Sequence, residues 1–423
     1  MKLKIFQSDK GDCMLISSQG ANVLVDGGMS SSYNEHVSAY LGQLRKKSEK
    51  LDLVCVSHID EDHISGVLKM IEDEVDWRVA DHHRGTVKPP KSVRPPEIKE
   101  IWHNAFHEYI KDNNSEIEDT LAATAAILGS SDDPADIGLG GLAYSVGQAI
   151  QLSRRLKPEQ LGIPLNKKYK GKLVMYRKRK QPMTIGGMKL SVIAPFPKDL
   201  ENLREDWNDW LRENKKQLKQ IRDRVKKDEG SLGTSMDDIS YLIALSKILG
   251  DRSEVTAPNL ASIMFLLEED SKTLLMTGDG HWEDILNGLE KIGKLDRSKG
   301  LHINALKVQH HGSEHNIHED FCKLLTADHY FFCGNGFSSN PEIDVIDAII
   351  KSRTSSSSKV RAITSQVGKD FTLWFNSSSK ITKPNYKAHM AKVEKFVKAK
   401  AKNNSQVKFK FMPEDKSYFS LTL

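Results

Sequence analysis

The sequence predicts an α/β protein in which two sheets pack face to face with helices outside. Three observations carry that expectation. Short runs rich in β-branched residues and leucine alternate with amphipathic stretches, the signature of strand–helix alternation. The second half of the chain repeats the first in kind, without a strict short-period repeat. In both halves, buried strands end abruptly in clusters of histidine and aspartate.

Each element follows from its local pattern. Residues 13–17 and 21–25 are apolar runs broken by Gly20, which reads as a hairpin closed by Asp26-Gly27-Gly28. A helix is expected over 33–47, a buried strand over 51–56 that delivers its end to His58, and a helix over about 65–74. Residues 81–97 are rich in proline and charge and read as a loop, with His82 and His83 on its surface. Residues 98–102 suggest a strand, 113–136 and 145–156 helices, and 172–174 and 188–193 strands. Leu200, Leu203, Trp207, Trp210, Leu211, Leu218, Ile221 and Val225 recur at helical spacing over 200–227. That stretch reads as a surface helix packed by one stripe; a protein partner or a second copy of the chain is the alternative use. Strands over 262–267 and 273–276, a helix over 282–289 and a strand over 303–308 follow. The lysine-rich chain after Asn376 has no clear element until its last segment, KFKFMPEDKSYFSLTL, which reads as added strand.

Composition narrows the class. A chain of 423 residues with 38% apolar content can bury a sizeable core. It has no apolar window of about 18 residues or more, so no membrane span is expected. The N-terminus turns polar too soon for a signal peptide. Cys13, Cys55, Cys322 and Cys333 form no CxxC pair, which fits a reducing, cytoplasmic setting. The net charge of +5 is unevenly placed: residues 380–410 hold ten lysines and one acid, and residues 166–180 hold eight basic residues and no acid. Such segments suit a nucleic acid or nucleotide, or are simply solvated surface.

The chemistry concentrates in three places. The run His58-x-Asp60-x-Asp62-His63 follows a buried strand and precedes Gly66. Four potential ligands in six residues converge only where the backbone turns, and imidazole with carboxylate suits zinc, manganese or iron. The plain alternative is an acidic helix N-cap with incidental histidines. Thr277-Gly278-Asp279-Gly280 places a carboxylate after a second strand, in a position to bridge two metals; alone it is an ordinary turn. Gln309-His310-His311-Gly312-Ser313 ends a third strand in imidazoles. The joint order, HxDxDH then GD then HHGS, is far more specific than any member.

With these motifs the chain resembles the metallo-β-lactamase superfamily. More narrowly, it looks like the hydrolase domain of the ComEC-type DNA-uptake competence proteins. Gly11-Asp12-Cys13-Met14-Leu15-Ile16, Leu24-Val25-Asp26-Gly27-Gly28, the run Ser57 to Gly66, Asn259-Leu260-Ala261-Ser262-Ile263, Thr277-Gly278-Asp279 and Leu306 to Ser313 carry the resemblance. It implies a four-layer αββα sandwich over residues 1–350, with an insertion at about 80–255 and a lysine-rich extension over 351–423 packed on the same domain. It also implies two divalent ions, zinc, manganese or magnesium. His58 and Asp60 would serve the first, and Asp62, His63 and either His310 or His311 the second. Asp279 would bridge them and Asp26 would orient a ligand histidine. Asp62, Asp279 and His63 are the expected catalytic residues, and Ser313 a substrate or capping contact. Two departures stand out. The superfamily's common HxHxDH has Asp60 in place of its second histidine, as in the competence-type subgroup. The third-motif histidine has no clear counterpart except His103, and a late His-Pro pair reads Asn340-Pro341.

The expected activity is phosphodiester hydrolysis, most specifically that of a nuclease, by metal-activated water. The alternatives are a hydrolase of a small ester, lactone or nucleotide, and a weakly catalytic binding or sensing module on the same fold.

Overall fold

A computed structural model describes residues 1–83, 86–104, 148–149, 151–200 and 261–423. The helix expected over 113–136, and that expected over 200–227 past its first residue, lie outside the described residues.

Two mixed sheets form the centre. The first has six strands: β1 (Lys2–Phe6), β2 (Met14–Ser18), β3 (Ala21–Val25), β4 (Leu53–Cys55), β5 (Ile101–Trp102) and β14 (Tyr418–Thr422), in the order β14-β1-β2-β3-β4-β5. The second has eight: β6 (Met183–Ile185), β7 (Met188–Ala194), β8 (Met264–Glu269), β9 (Lys272–Met276), β10 (Leu301–Lys307), β11 (Leu325–Phe332), β12 (Phe371–Phe375) and β13 (Val407–Phe411), in the order β13-β12-β11-β10-β9-β8-β7-β6. Among the described residues the helices used below are α1 (Ser38–Lys46), α2 (Glu61–His82), α3 (Trp282–Lys291), α4 (Glu319–Leu324), α5 (Ile343–Thr354) and α6 (Pro384–Asn403).

Three apolar layers hold this together. Met14, Ile16, Val23, Val25, Leu53 and Cys55 of the first sheet meet Leu190, Phe265, Leu274, Met276 and Ala305 of the second. The opposite faces of the same strands, Leu15, Leu24 and Val54, pack on α1 and on Ile64, Val67 and Ile71 of α2. Outside the second sheet, Leu266, Leu275, Ile303 and Leu306 pack on α3, α5 and α6. The result is the αββα sandwich. Because the central strands are buried on both faces, they read as continuous apolar runs rather than alternating ones. Each such side chain contributes roughly 1.5–3 kcal/mol by burial.

Several expectations needed correction. The helix expected from about residue 65 begins at Glu61, inside the ligand run, and continues to His82. His82 is therefore its last helical residue rather than part of a loop. Residues 172–174 form no strand. The backbone of Val174 bonds instead to the side chain of Asn104, through Val174 N–H to Oδ1 at 2.8 Å and Asn104 Nδ2 to Val174 O at 2.9 Å. β1, β6, β11, β12 and α6 add to the elements expected. The lysine-rich α6 packs through Met390, Val393 and Val397, an apolar stripe at helical spacing. Residues 351–423 supply strands to both sheets: β12 and β13 extend the second in parallel, and β14 pairs antiparallel with β1. No helix among the described residues is long and apolar enough to cross a membrane.

Candidate metal centre

Parallel pairing gathers the polar strand ends. β3, β4 and β5 run parallel, so Asp26, His58 and His103 leave the same end of the first sheet. β9, β10 and β11 run parallel in the second, so Asp279, His310-His311 and Cys333 leave one end there. The two ends meet: Ile263 donates its N–H to Ser57 O at 2.8 Å, and His58 Nε2 lies 3.7 Å from Asp279 Oδ2.

Two glycines bring α2 against β3. A Cβ on Gly27 would strike the backbone of Gly66 and Val67, and one on Gly66 would strike that of Gly27. The close approach is fixed by Gly27 N–H to His63 O and Gly66 N–H to Gly28 O, each 2.9 Å. It sets His63 beside Asp26.

The buried core of the site is Asp12, His63, Asp279 and His311, with ligand-type atoms all within 4.8 Å of one another. His63 Nε2 is 3.4 Å from Asp279 Oδ1 and 3.9 Å from Asp62 Oδ2. His311 Nε2 is 3.3 Å from Asp279 Oδ2 and 3.1 Å from Asp62 Oδ2. His58 Nε2 adds Asp60 Oδ2 at 3.5 Å. Asp60 is the N-cap residue of α2, but its side chain makes no capping bond. His310 lies at the rim, Nε2 3.8 Å from Asp279 Oδ2, with a quarter of its side chain exposed.

The chemistry of the donor set fits a divalent cation. The Nε2 atoms of His58, His63 and His311 are buried and make no hydrogen bond. Their Nδ1 atoms are engaged: His63 with Asp26 Oδ2 at 3.0 Å, His58 with Ser57 Oγ at 3.1 Å, and His311 with Cys333 O at 2.7 Å. Donation from Nδ1 to a carboxylate or carbonyl leaves the Nε2 lone pair free, as in a ligating histidine. Asp26, in the left-handed region at φ 57°, also accepts from Ser57 N–H at 2.7 Å and Ser57 Oγ at 2.8 Å.

The second histidine pair needs an unusual backbone. His310 and His311 both have positive φ, 45° and 55°. Each such conformation costs a non-glycine residue roughly 1–2 kcal/mol. Tertiary bonds hold the turn: His310 N–H to Gly278 O at 3.1 Å, and His310 Nδ1 to Asn316 Oδ1 at 2.6 Å. Asn316 Nδ2 in turn donates to Asp279 O at 2.8 Å, and Ser262 Oγ accepts from Asp279 N–H at 3.2 Å.

Asp12 and Lys307 were missed as site residues on sequence. Lys307, fully buried on β10, forms an ion pair with Asp12 and lies 3.4 Å from Asp279 Oδ1, while donating to Gly278 O at 2.8 Å. Asp12 also faces His311 Nδ1 at 3.2 Å. Asp12 and Lys307 both stand in segments that carry the family resemblance, Gly11 to Ile16 and Leu306 to Ser313, and the further signals were a lysine inside an apolar strand and an acid just before another.

Electrostatics couple these groups. Burial alone would raise Asp279, but His311, His63 and Lys307 outweigh it and hold the carboxyl well below its usual range. Asp12 is lowered likewise: Lys307, His63 and His311 overcome burial. Asp62 is lowered by His63 and His311 against burial. Burial would lower His63 and His311, but Asp279 and its fellow carboxylates raise both well above the usual imidazole range. His310 goes the other way, lowered chiefly by burial. A cation bound here would compete with protons for the same imidazoles.

The remaining candidates sit around this core. His103 is buried at the end of β5, its N–H and C=O clasped by the Asn166 side chain at 3.0 and 2.8 Å. It does not belong to the four-residue core. Ser313 is buried after the histidine pair and makes no capping bond to the next turn. The turn ending at Asn340-Pro341 packs on this loop, with Asn340 near Gly334 and Pro341 near Gly312. His318 caps α4 and stacks on Trp282.

Residues 9–123 match the model of the metallo-beta-lactamase superfamily. No curated protein matches the chain. The sandwich, the motif match and the buried His/Asp cluster define a metallo-beta-lactamase superfamily domain with a metal-site-like centre, the frame of a metal-dependent hydrolase.

Proposed function

We propose that the chain is a metal-dependent phosphodiesterase acting on nucleic acid or nucleotides, similar to the ComEC-type hydrolase domain. The observation that supports this best is Asp60 beside His58, where the broader superfamily carries a second histidine. With Asp62 and Asp279 it makes an oxygen-rich donor set, suited to manganese or magnesium as well as zinc. When bound, such an ion supplies Lewis-acid activation of water and neutralises charge on a phosphoryl group. His58, His63 and His311 would hold it with Asp60, Asp62 and Asp279, while Asp26, Ser57 and Cys333 O fix the imidazole rings.

The chain's other groups have separate tasks. Asp62, kept ionised by His63 and His311, accepts a proton bond from the attacking water and orients it. His310, at the rim with Nδ1 donating to Asn316 Oδ1, offers its Nε2 lone pair as a proton acceptor on the substrate side. The basic segments over 166–180 and 380–410 favour a polyanionic substrate.

A panel of labelled single- and double-stranded DNA and RNA, incubated with manganese, magnesium or zinc, tests the reading. Metal-dependent cleavage that disappears in Asp62→Ala is expected. Cleavage no greater than that of Asp62→Ala, with any metal, rejects it. Turnover of small phosphodiesters without polymer cleavage would restrict the substrate to nucleotides.

A further inference from the structure

A cavity of about 610 Å³ lies at the β6–β7 edge of the second sheet, flanked by the C-terminal end of α3. None of its lining residues belongs to the metal centre. We propose that this cavity binds a nucleoside phosphate, with its phosphate among the cations and its base against an aromatic face.

The lining is the first reason. Arg177, Arg179, Lys180, Lys189, Lys291 and Lys294 contribute six cations, opposed by the carboxylates of Glu268 and Asp270. Lys294 is already paired with Glu268 at 2.6 Å. Among the described residues the other five cations have no carboxylate partner. Gathering like charges without counter-ions costs free energy, and an anionic ligand would repay it. The crowding shows on Lys180, where burial, then Arg177 and Lys168, bring the ammonium down to about 8.

Orientation is the second reason. Arg177 Nε is buried and makes no hydrogen bond. Its guanidinium sits 5.2 Å from the Tyr169 ring centre, and the Lys180 ammonium 3.1 Å from the same centre. The ring thus pre-positions two cations at the cavity wall. Tyr176 is pinned by its N–H to Pro195 O at 2.9 Å and by an edge contact to Phe196 at 5.5 Å, so an aromatic ring is held beside the cations.

Size is the third. A volume of this order suits a small organic ligand. Cations interleaved with aromatic faces bind single-stranded nucleic acid by phosphate contact and stacking. Free nucleotides and a single strand present the same chemistry, and a duplex would not enter.

The test is separable from catalysis. Binding of a fluorescein-labelled oligothymidylate is measured by anisotropy on Asp62→Ala protein, with ATP as competitor, so a centre that fails to cleave leaves the result intact. Arg179→Glu with Lys189→Glu, both on the surface, is expected to weaken binding about tenfold or more at moderate salt. Arg177→Ala tests the guanidinium whose Nε is buried, with thermal melting to show that each variant folds. Displacement by ATP would identify the free nucleotide as a sufficient ligand; oligonucleotide binding without it would identify the strand. No binding of either probe overturns the proposal. So does binding unchanged by the cavity variants but lost in Lys392→Glu with Lys395→Glu on α6.

Discussion

The ligand runs after β4 and after β10 occupy equivalent places in their sheets but are built differently. The first passes directly into α2, and its residues take ordinary backbone angles, so helix geometry and the Gly27–Gly66 contact aim His63. The second forces His310 and His311 into left-handed angles and holds them by bonds from Gly278, Asn316 and Cys333. The first is a local solution written in consecutive residues. The second is a tertiary one, stable only when its neighbours are in place, and strain of this kind is often kept where function requires it.

Removing the residue that joins the two halves should have the largest effect. Asp279→Ala leaves Lys307, His63 and His311 without their common carboxylate. Breaking a buried charge cluster in this way costs roughly 3–5 kcal/mol, and metal binding should go with it. Chemical denaturation and metal analysis would check both; unchanged stability and metal content would show that the halves are not coupled through Asp279.

Lys307→Met attacks the tertiary side alone. It removes the buried ammonium shared by Asp12 and Asp279 and leaves only the His63 and His311 imidazoles beside them, so the metal-free protein should lose about 3 kcal/mol. The metal-loaded protein should lose less, since the metal neutralises the same carboxylates. Equal losses in both forms would remove Lys307 from the site's electrostatics.

Asp26→Asn probes the local side. Losing the carboxylate that holds His63 Nδ1 should weaken metal binding about 10- to 100-fold, with the fold intact, by competition against a fluorescent chelator. A stability loss without any change in metal affinity would make Asp26 purely structural.

The smallest effect is in pH. His63 and His311 are raised, so their stabilisation of the metal-free protein is present below the unfolded imidazole pKa and is lost as pH rises through their folded values. Asp12 and Asp279 are lowered, so their share is present above the unfolded carboxylate pKa and is lost as pH falls. Thermal melts with chelator should therefore fall on the alkaline side, and added metal should flatten that fall. A metal-free profile that is level above neutral pH would contradict this.

What could be read from sequence follows the same division. The HxDxDH run was legible because strand, turn and helix lie next to each other in the chain. The doubly buried strands were legible as apolar runs. The roles of Asp12 and Lys307 were not: both stood inside motifs that carry the resemblance, but nothing local pairs them until β1–β2 and β10 are folded together. The pairing of β14 with β1 joins opposite ends of the chain, and no local pattern announces it. α6 hid its apolar stripe among lysines. The segment 172–174 looked like a strand because its composition allows one, and the Asn104 clasp then decided otherwise. His310 and His311 were equal candidates until the backbone turned one into the core and the other to the rim.

That last distinction gives the most direct test of the centre. Metal content should be measured by mass spectrometry for the wild-type chain, His311→Ala and His310→Ala, each purified under metal-replete conditions. The wild type should hold at least one divalent ion per chain, His311→Ala should lose it, and His310→Ala should keep it while cleaving phosphodiesters more slowly. A wild-type chain without metal, or loss in His310→Ala with retention in His311→Ala, would contradict the account.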